Sequence, residues 1–204
     1  MAIIEIKNLY KYFHNNVVLN NLSFKFEYNN TYLLVGANGS GKSTLIKIIL
    51  GFVKETQGRV KTNEKTIGYV PEKSSFPEMV NIKEFLYSIA NIRNIPKNSA
   101  KAIIESELSE WKLDGSKKIS KLSKGMMQKV SIIQSLIHSP KLYIFDEPMS
   151  GLDEKSQKQF LNCIKNLKAK NKTIIIATHF KDYYQEVADK VVIIKEGTFN
   201  DESN

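Results

Sequence analysis

Thr31-Tyr32-Leu33-Leu34-Val35-Gly36-Ala37-Asn38-Gly39-Ser40-Gly41-Lys42-Ser43-Thr44 is a short apolar run, a glycine-rich turn and a polar entry into the periodic segment 45–50. The run predicts a buried strand, and the apolar spacing after Lys42 predicts a helix over 42–50. Gly36 to Ser43 fit the pattern G-x-x-x-x-G-K-[ST] between a strand and a helix. Glycines at these spacings let backbone N–H groups close around phosphate oxygens at a helix N-terminus, whose dipole favours negative charge. The whole stretch, Gly36, Ala37, Asn38, Gly39, Ser40, Gly41, Lys42, Ser43 and Thr44, is the candidate phosphate loop. Lys42 is expected to reach the outer phosphates, Ser43 to offer its hydroxyl to Mg²⁺ and Thr44 to bond the inner phosphate. The pattern alone does not choose among kinases, GTPases and other nucleotide hydrolases.

A second stretch, Leu142-Tyr143-Ile144-Phe145-Asp146-Glu147-Pro148, is an apolar strand ending in two carboxylates. At the carboxyl edge of a parallel sheet such a pair lies beside a nucleotide bound to the phosphate loop. Asp146 is the candidate Mg²⁺ ligand, and Glu147 the candidate base that orients and deprotonates water. A strand ending in an acid also occurs for solubility alone, so the pair acquires meaning from the loop before it.

Outward from these two anchors, residues 2–7 and 17–26 alternate apolar side chains like strands, with Asn15-Asn16 and Asn29-Asn30 as turns. They predict an N-terminal antiparallel β layer. Further buried strands are expected at 66–70, 141–145, 173–177 and 190–194, separated by helical patterns, which makes a mostly parallel α/β core. From about residue 76 to 125 the chain turns helical, with 3.6-type spacing over 82–92 and 100–111. The reading is therefore one α/β domain over 1–204: a P-loop NTPase core, an antiparallel β layer and an inserted helical subdomain.

Composition bounds the possibilities. Hydrophobic residues make up 42% and charged residues 25% of 204, ordinary for a globular domain. The longest apolar runs, such as 174–177, fall far short of the roughly 18 residues that cross a bilayer. The N-terminus has neither the basic head nor the apolar core of a secretory signal. One cysteine, Cys163, makes no internal disulfide and no multi-cysteine metal site, pointing to a reducing compartment. The net charge of +9 is compatible with a polyanionic partner, but lysines are interspersed with acids over 154–170, as on a solvated surface.

Three more segments bring in a family. Leu122-Ser123-Lys124-Gly125-Met126-Met127-Gln128-Lys129, about twenty residues before the acidic strand, resembles the LSGGQ signature of ATP-binding cassette (ABC) proteins. Ser150-Gly151-Leu152-Asp153 looks like that family's D-loop, and Thr178-His179 like its switch histidine. The order and spacing of the motifs resemble the family across residues 3–197. Taken singly, Ser123 reads as an ordinary cap of a helix over 124–138, and His179 as a structural histidine.

The resemblance implies an ATPase subunit of an ABC transporter. Two copies, or two paired subunits, would sandwich ATP between one phosphate loop and the other's signature. On this reading Ser123, Gly125, Met126 and Asp153 contact nucleotide across the dimer, Glu147 and His179 are catalytic, and Phe13 stacks on adenine with Val18 packed nearby. Tyr12 is the rival for stacking. The partners implied are integral membrane permease subunits, which set the transported substance, and the location is the cytoplasmic face of the cell membrane, reached through them. Nucleic acid is not expected: DNA-repair relatives insert long coiled coils between loop and signature, whereas Ser43 and Ser123 are only about 80 residues apart.

The chain departs from the family pattern at three places. Glu72 follows Tyr69-Val70-Pro71 where glutamine is usual, and is expected to ligate Mg²⁺ while adding negative charge beside the phosphates. Lys124 replaces a glycine and Met126 a glutamine. Lys124 either adds positive charge near phosphate or points to solvent. These changes keep in view a regulatory nucleotide-binding subunit with little hydrolysis, and the basic charge a non-transport cassette acting on nucleic acid or ribosomes.

Overall fold

The computed structural model describes residues 1–14 and 16–200. Two strands, β1 (Ala2–Phe13) and β2 (Asn16–Glu27), run antiparallel, and β3 (Thr31–Val35) leads into α1 (Lys42–Ile49). Then come β4 (Gln57–Thr62), β5 (Ile67–Val70), α2 (Ile82–Ile92), α3 (Lys97–Glu110) and α4 (Lys124–Leu136). The chain continues through β6 (Leu142–Asp146), α5 (Glu154–Ala169), β7 (Thr173–Thr178), β8 (Lys190–Lys195) and β9 (Thr198–Asn200).

The strands form two sheets. One is antiparallel, ordered β2-β1-β4; the other is ordered β5-β6-β7-β3-β8-β9 and is parallel apart from the β8–β9 pair. Every residue of β6 and β7 is buried, as expected for parallel strands covered on both faces. Their two-residue alternation divides the core in two. Leu33, Tyr143, Phe145, Ile174 and Ile176 point to one side, where α2, α3, α4 and α5 bring Leu86, Ile104, Val130 and Phe160. Tyr32, Leu34, Leu142, Ile144, Ile175 and Ala177 point to the other, against Leu45 and Ile46 of α1 and Ile4, Ile6 and Leu22 of the antiparallel sheet. The central sheet is thus the middle of three layers, and all the parallel strands end on one edge.

The expected mixed architecture holds, with instructive differences in detail. β4 was not expected: Gln-Gly-Arg-Val-Lys-Thr has no apolar run, because it is an edge strand that pairs through its backbone with β1. α3 begins at Lys97, three residues before the apolar periodicity, since Pro96 sets its entry and the first turn faces solvent. α4 ends at Leu136, two residues earlier than read. Asn15 lies outside the described residues; His14 beside it has φ 53°, and Asn16 pairs with Phe13. Cys163 sits half-buried on α5, where burial pushes its thiol up to about 12.

The first sheet turns on a pair of asparagines. Asn8 and Asn21 have φ of 45° and 52°, and the Asn8 side-chain amide donates to Asn21 Oδ1 at 3.1 Å. Asparagine tolerates this left-handed backbone better than other non-glycine residues. The pairing of β1 shifts register beside Asn8 with both neighbours, between Ile6 and Leu9 and between Lys7 and Tyr10. Opposite the bulge, Gly58 has φ +84°, and a Cβ there would lie 2.0 Å from the Asn8 carbonyl oxygen. Gly58→Ala is therefore expected to cost about 2–3 kcal/mol, from the left-handed strain together with the clash. Urea unfolding measures it, and an unchanged midpoint would show that the bulge does not need this approach.

Candidate functional site

The loop between β3 and α1 can lie where it does only without side chains at two positions. A Cβ at Gly36 would sit 2.4 Å from the Ile194 carbonyl oxygen, and one at Gly41, where φ is +107°, would sit 2.6 Å from Leu19 Cδ2. Glycine is the residue that meets both demands. The loop is closed by the Ser40 N–H donating to the Ala37 carbonyl, and α1 by the Leu45 N–H donating to Gly41. The free N–H groups of the first helical turn then face outward, with no acidic side chain in that turn to occupy them.

This loop forms one wall of a cavity of about 560 Å³. The remaining walls come from strand ends on the same edge of the sheet: Asp146 ends β6, Glu147 follows it and His179 follows β7. Val18 of β2 and Glu72 after β5 complete the rim, together with Ser150. Asn38 to Thr44, Val18, Glu72, Asp146, Glu147 and His179 are thereby brought together by the fold. Gly36 and Ala37 stand behind the wall and accept hydrogen bonds from Lys42 Nζ at 2.5 and 3.0 Å.

The electrostatics are those of a site built for a charged guest. Lys42 is buried; desolvation pulls its pKa down, and Glu147, Asp146 and Glu72 oppose that pull. Asp146 is buried too, and among the described residues its Oδ1 has no hydrogen-bond partner. Burial pushes its carboxyl above the usual range, the Ser43 hydroxyl pulls it back, Glu72 and Glu147 raise it further and Lys42 opposes them. Asp146 thereby presents an unpartnered carboxylate oxygen at the cavity, the donor type that a hard cation takes.

Glu147 is held in an uncommon backbone conformation, φ 47°. Its N–H donates to the Ala177 carbonyl, which ties it to the end of β7. One carboxylate oxygen lies 2.7 Å from His179 Nδ1, and the other accepts from Thr178 Oγ1 at 3.3 Å. With the proton on Nδ1 the imidazole donates to the carboxylate, so acid and histidine orient one another.

Other candidate residues lie elsewhere on the chain. Phe13 is 44% exposed, with Lys11 Nζ 4.7 Å above its ring, and does not line the cavity; Tyr12 packs against Tyr10. Ser123 caps α4, its hydroxyl accepting from the Met126 N–H at 3.3 Å. Met126 Sδ accepts from Lys117, and Gly125 lies against the Gly151 carbonyl, where a Cβ would come within 2.6 Å. Asp153 caps α5 through the Ser156 N–H at 2.8 Å. The Lys124 ammonium donates to Ser150 Oγ at 3.1 Å, an exposed contact that puts its charge beside a cavity-lining residue. Ser150 is the cavity residue that the sequence reading did not single out; its place inside the D-loop-like segment was the available signal.

Known proteins agree with this geometry. The family model for ABC transporters matches residues 19–150. An uncharacterized ABC transporter ATP-binding protein of Methanocaldococcus jannaschii is 36% identical over 196 residues, covering 95% of this chain and 74% of the relative. A zinc import ATP-binding protein of Rickettsia conorii is 37% identical over 183 residues, 87% of this chain and 76% of the relative. Among solved structures, an ATP-binding subunit of an ABC transporter superposes with a TM-score of 0.91 at 28% identity, over 98% of this chain and 88% of that one. The ADP conformation of an ATP-binding cassette of an ABC transporter superposes at 0.81 with 27% identity, over 98% and 90%. With a glycine-built phosphate loop facing two strand-end carboxylates and a histidine, this chain belongs to the ABC transporter family, as an ATP-binding and ATP-hydrolysing subunit.

Proposed function

We propose that residues 1–204 work as one ATPase domain, with the helices of about 76–125 as its insertion, and that hydrolysis occurs in the cavity between the phosphate loop and Glu147. The observation carrying this reading is the Glu147–His179 pair, 2.7 Å apart at the rim that Lys42 and Asp146 share. Lys42 leaves its carbonyl partners to meet the outer phosphates, as the N–H groups of 39–44 close on the phosphate oxygens. Glu147 accepts a proton from the attacking water, while His179 holds the carboxylate in line and faces the terminal phosphate. An oriented base of this kind contributes about 10²–10⁴-fold.

Ser43, Asp146 and Glu72 are the residues to hold Mg²⁺, and the orphaned Oδ1 of Asp146 supports that assignment. When bound there, Mg²⁺ supplies neutralisation of charge on the phosphate oxygens. Val18, on the cavity rim, packs on the base, and Phe13, exposed outside the cavity, turns towards it to act as the stacking ring.

Ser123, Gly125, Met126 and Asp153 lie outside the cavity, which supports their acting on a second subunit's nucleotide in a head-to-tail pair, of two copies or of two related chains. Proteins of this family work with membrane permease subunits. Among the described residues no helix is long and apolar enough to cross a membrane. On the family's pairing with permeases, we place the chain at the cytoplasmic face, held by such a partner.

Three measurements test this. Glu147→Gln is expected to lower steady-state phosphate release from Mg-ATP at least 10²-fold while retaining ATP binding, and to double the apparent mass in gel filtration with ATP; equal turnover in both proteins would refute the role of Glu147. Asp146→Asn removes a buried, incompletely bonded charge worth about 1–3 kcal/mol. It should raise the unfolding midpoint in EDTA by about 2–4 °C per kcal/mol gained, yet abolish the added stabilisation by Mg-ATP. A fall in the midpoint would mean that the carboxylate is a structural necessity. Glu72→Gln withdraws a negative charge at the rim and should lower the KM for Mg-ATP about threefold to tenfold. An increase would mean that the negative charge of Glu72, and not an oxygen ligand alone, is needed to hold Mg²⁺.

A further inference from the structure

The first two turns of α4 are fastened to the loop that follows Glu147. Gln128 Nε2 donates to the Pro148 carbonyl at 3.0 Å in a buried position, and Gly125 leaves room for the Gly151 carbonyl. Lys124, the residue before Gly125, departs from the glycine usual in the signature. Its stem runs along Gly151, where a Cβ would meet Lys124 Cγ and Cδ at 3.1 Å, and its ammonium donates to Ser150 Oγ at 3.1 Å. The Ser150 N–H in turn donates to the Glu147 carbonyl at 3.1 Å. Ser150 lines the nucleotide cavity at the end that holds Glu147 and His179.

The chemistry of this bond has a direction. A lysine ammonium has three donors and no acceptor, so in this contact the serine oxygen accepts. A hydroxyl that accepts at its oxygen still carries one proton to give, and a charged donor on its oxygen polarises that O–H. Lys124 thereby turns Ser150 into a donor, next to the carboxylate and imidazole that flank the terminal phosphate.

We propose that Ser150 donates a hydrogen bond to a γ-phosphate oxygen of bound ATP in its own chain's cavity, and that Lys124 is its positioning residue. This rests on the reading of that cavity as the site of ATP hydrolysis. The signature helix then touches its own chain's nucleotide through Lys124 and Ser150, in addition to facing a second subunit.

Binding of Mg-ATP and Mg-ADP to the full chain, at concentrations where light scattering shows a monomer, tests the proposal with Ser150→Ala, Lys124→Met, Lys124→Arg and the double variant. Lys124→Met keeps the apolar stem and removes the donor. Ser150→Ala is expected to weaken ATP about tenfold and leave ADP within twofold, because only ATP has a γ-phosphate. Lys124→Met should weaken ATP about threefold with the same selectivity, Lys124→Arg should restore it, and the double variant should be no worse than Ser150→Ala. Additive losses, equal losses for ATP and ADP, or wild-type behaviour of Lys124→Met would overturn the proposal while leaving the ATP site intact. Failure of the wild type to bind Mg-ATP would instead overturn the site reading beneath it. Unchanged ADP affinity certifies that each variant is folded.

Discussion

The absence of a Cβ at two glycines is the constraint on which the rest of this molecule depends. Gly36 lies against the Ile194 carbonyl and Gly41 against Leu19, so the phosphate loop is wedged between β8 of the parallel sheet and β2 of the antiparallel one. The loop is therefore held by backbone and core contacts, with the Lys42 ammonium across its Gly36 and Ala37 carbonyls as the side-chain tie. A loop fixed in this way can present N–H groups to an anion without first ordering itself, which lowers the entropic cost of binding. It also makes the two sheets a single support, because each supplies one side of the wedge.

Charge is arranged around that support at some cost to the fold. Asp146 is buried with one oxygen unpartnered, Lys42 folds back on two carbonyls and Glu147 sits at positive φ. Each is unfavourable in isolation, and such strain at a reactive site is sustained only where the surroundings over-determine it. Here the surroundings are β6 and β7, buried on every residue, which deliver the acid pair and the histidine to the same edge. The order of strands places β7 between β3 and β6, so the phosphate loop and Asp146 are separated by one strand, with His179 between them.

The helices on the opposite face serve the site at one remove. α2 is locked at its start by reciprocal bonds between Asn81 and Glu84, and its Leu86 joins Ile104 of α3 and Val130 of α4 in the core beneath the sheet. The position of α4 then follows from packing, and its first turns meet the loop after Glu147 through Gly125, Lys124 and Gln128. Whatever moves α4 thus acts on the loop after Glu147 through the Lys124 and Gln128 side chains and the close approach at Gly125.

Sequence alone determined the strand–loop–helix unit, the acidic strand end and the helical character of 82–92, because these are set by local chemistry: glycine spacing, continuous apolar runs and 3.6-residue periodicity. It did not disclose β4, whose polar residues are held by backbone pairing to β1, nor the bulge at Asn8 and Asn21 that Gly58 must accommodate. For Lys124 the sequence left two options open, phosphate or solvent. The tertiary structure decided for Ser150, since a long cation takes whichever acceptor packing brings within reach. The contact between His179 and Glu147, 32 residues apart along the chain, was likewise a matter of strand order. Local rules write the reactive groups into the chain; which of them meet is settled by long-range packing, which no short window of sequence contains.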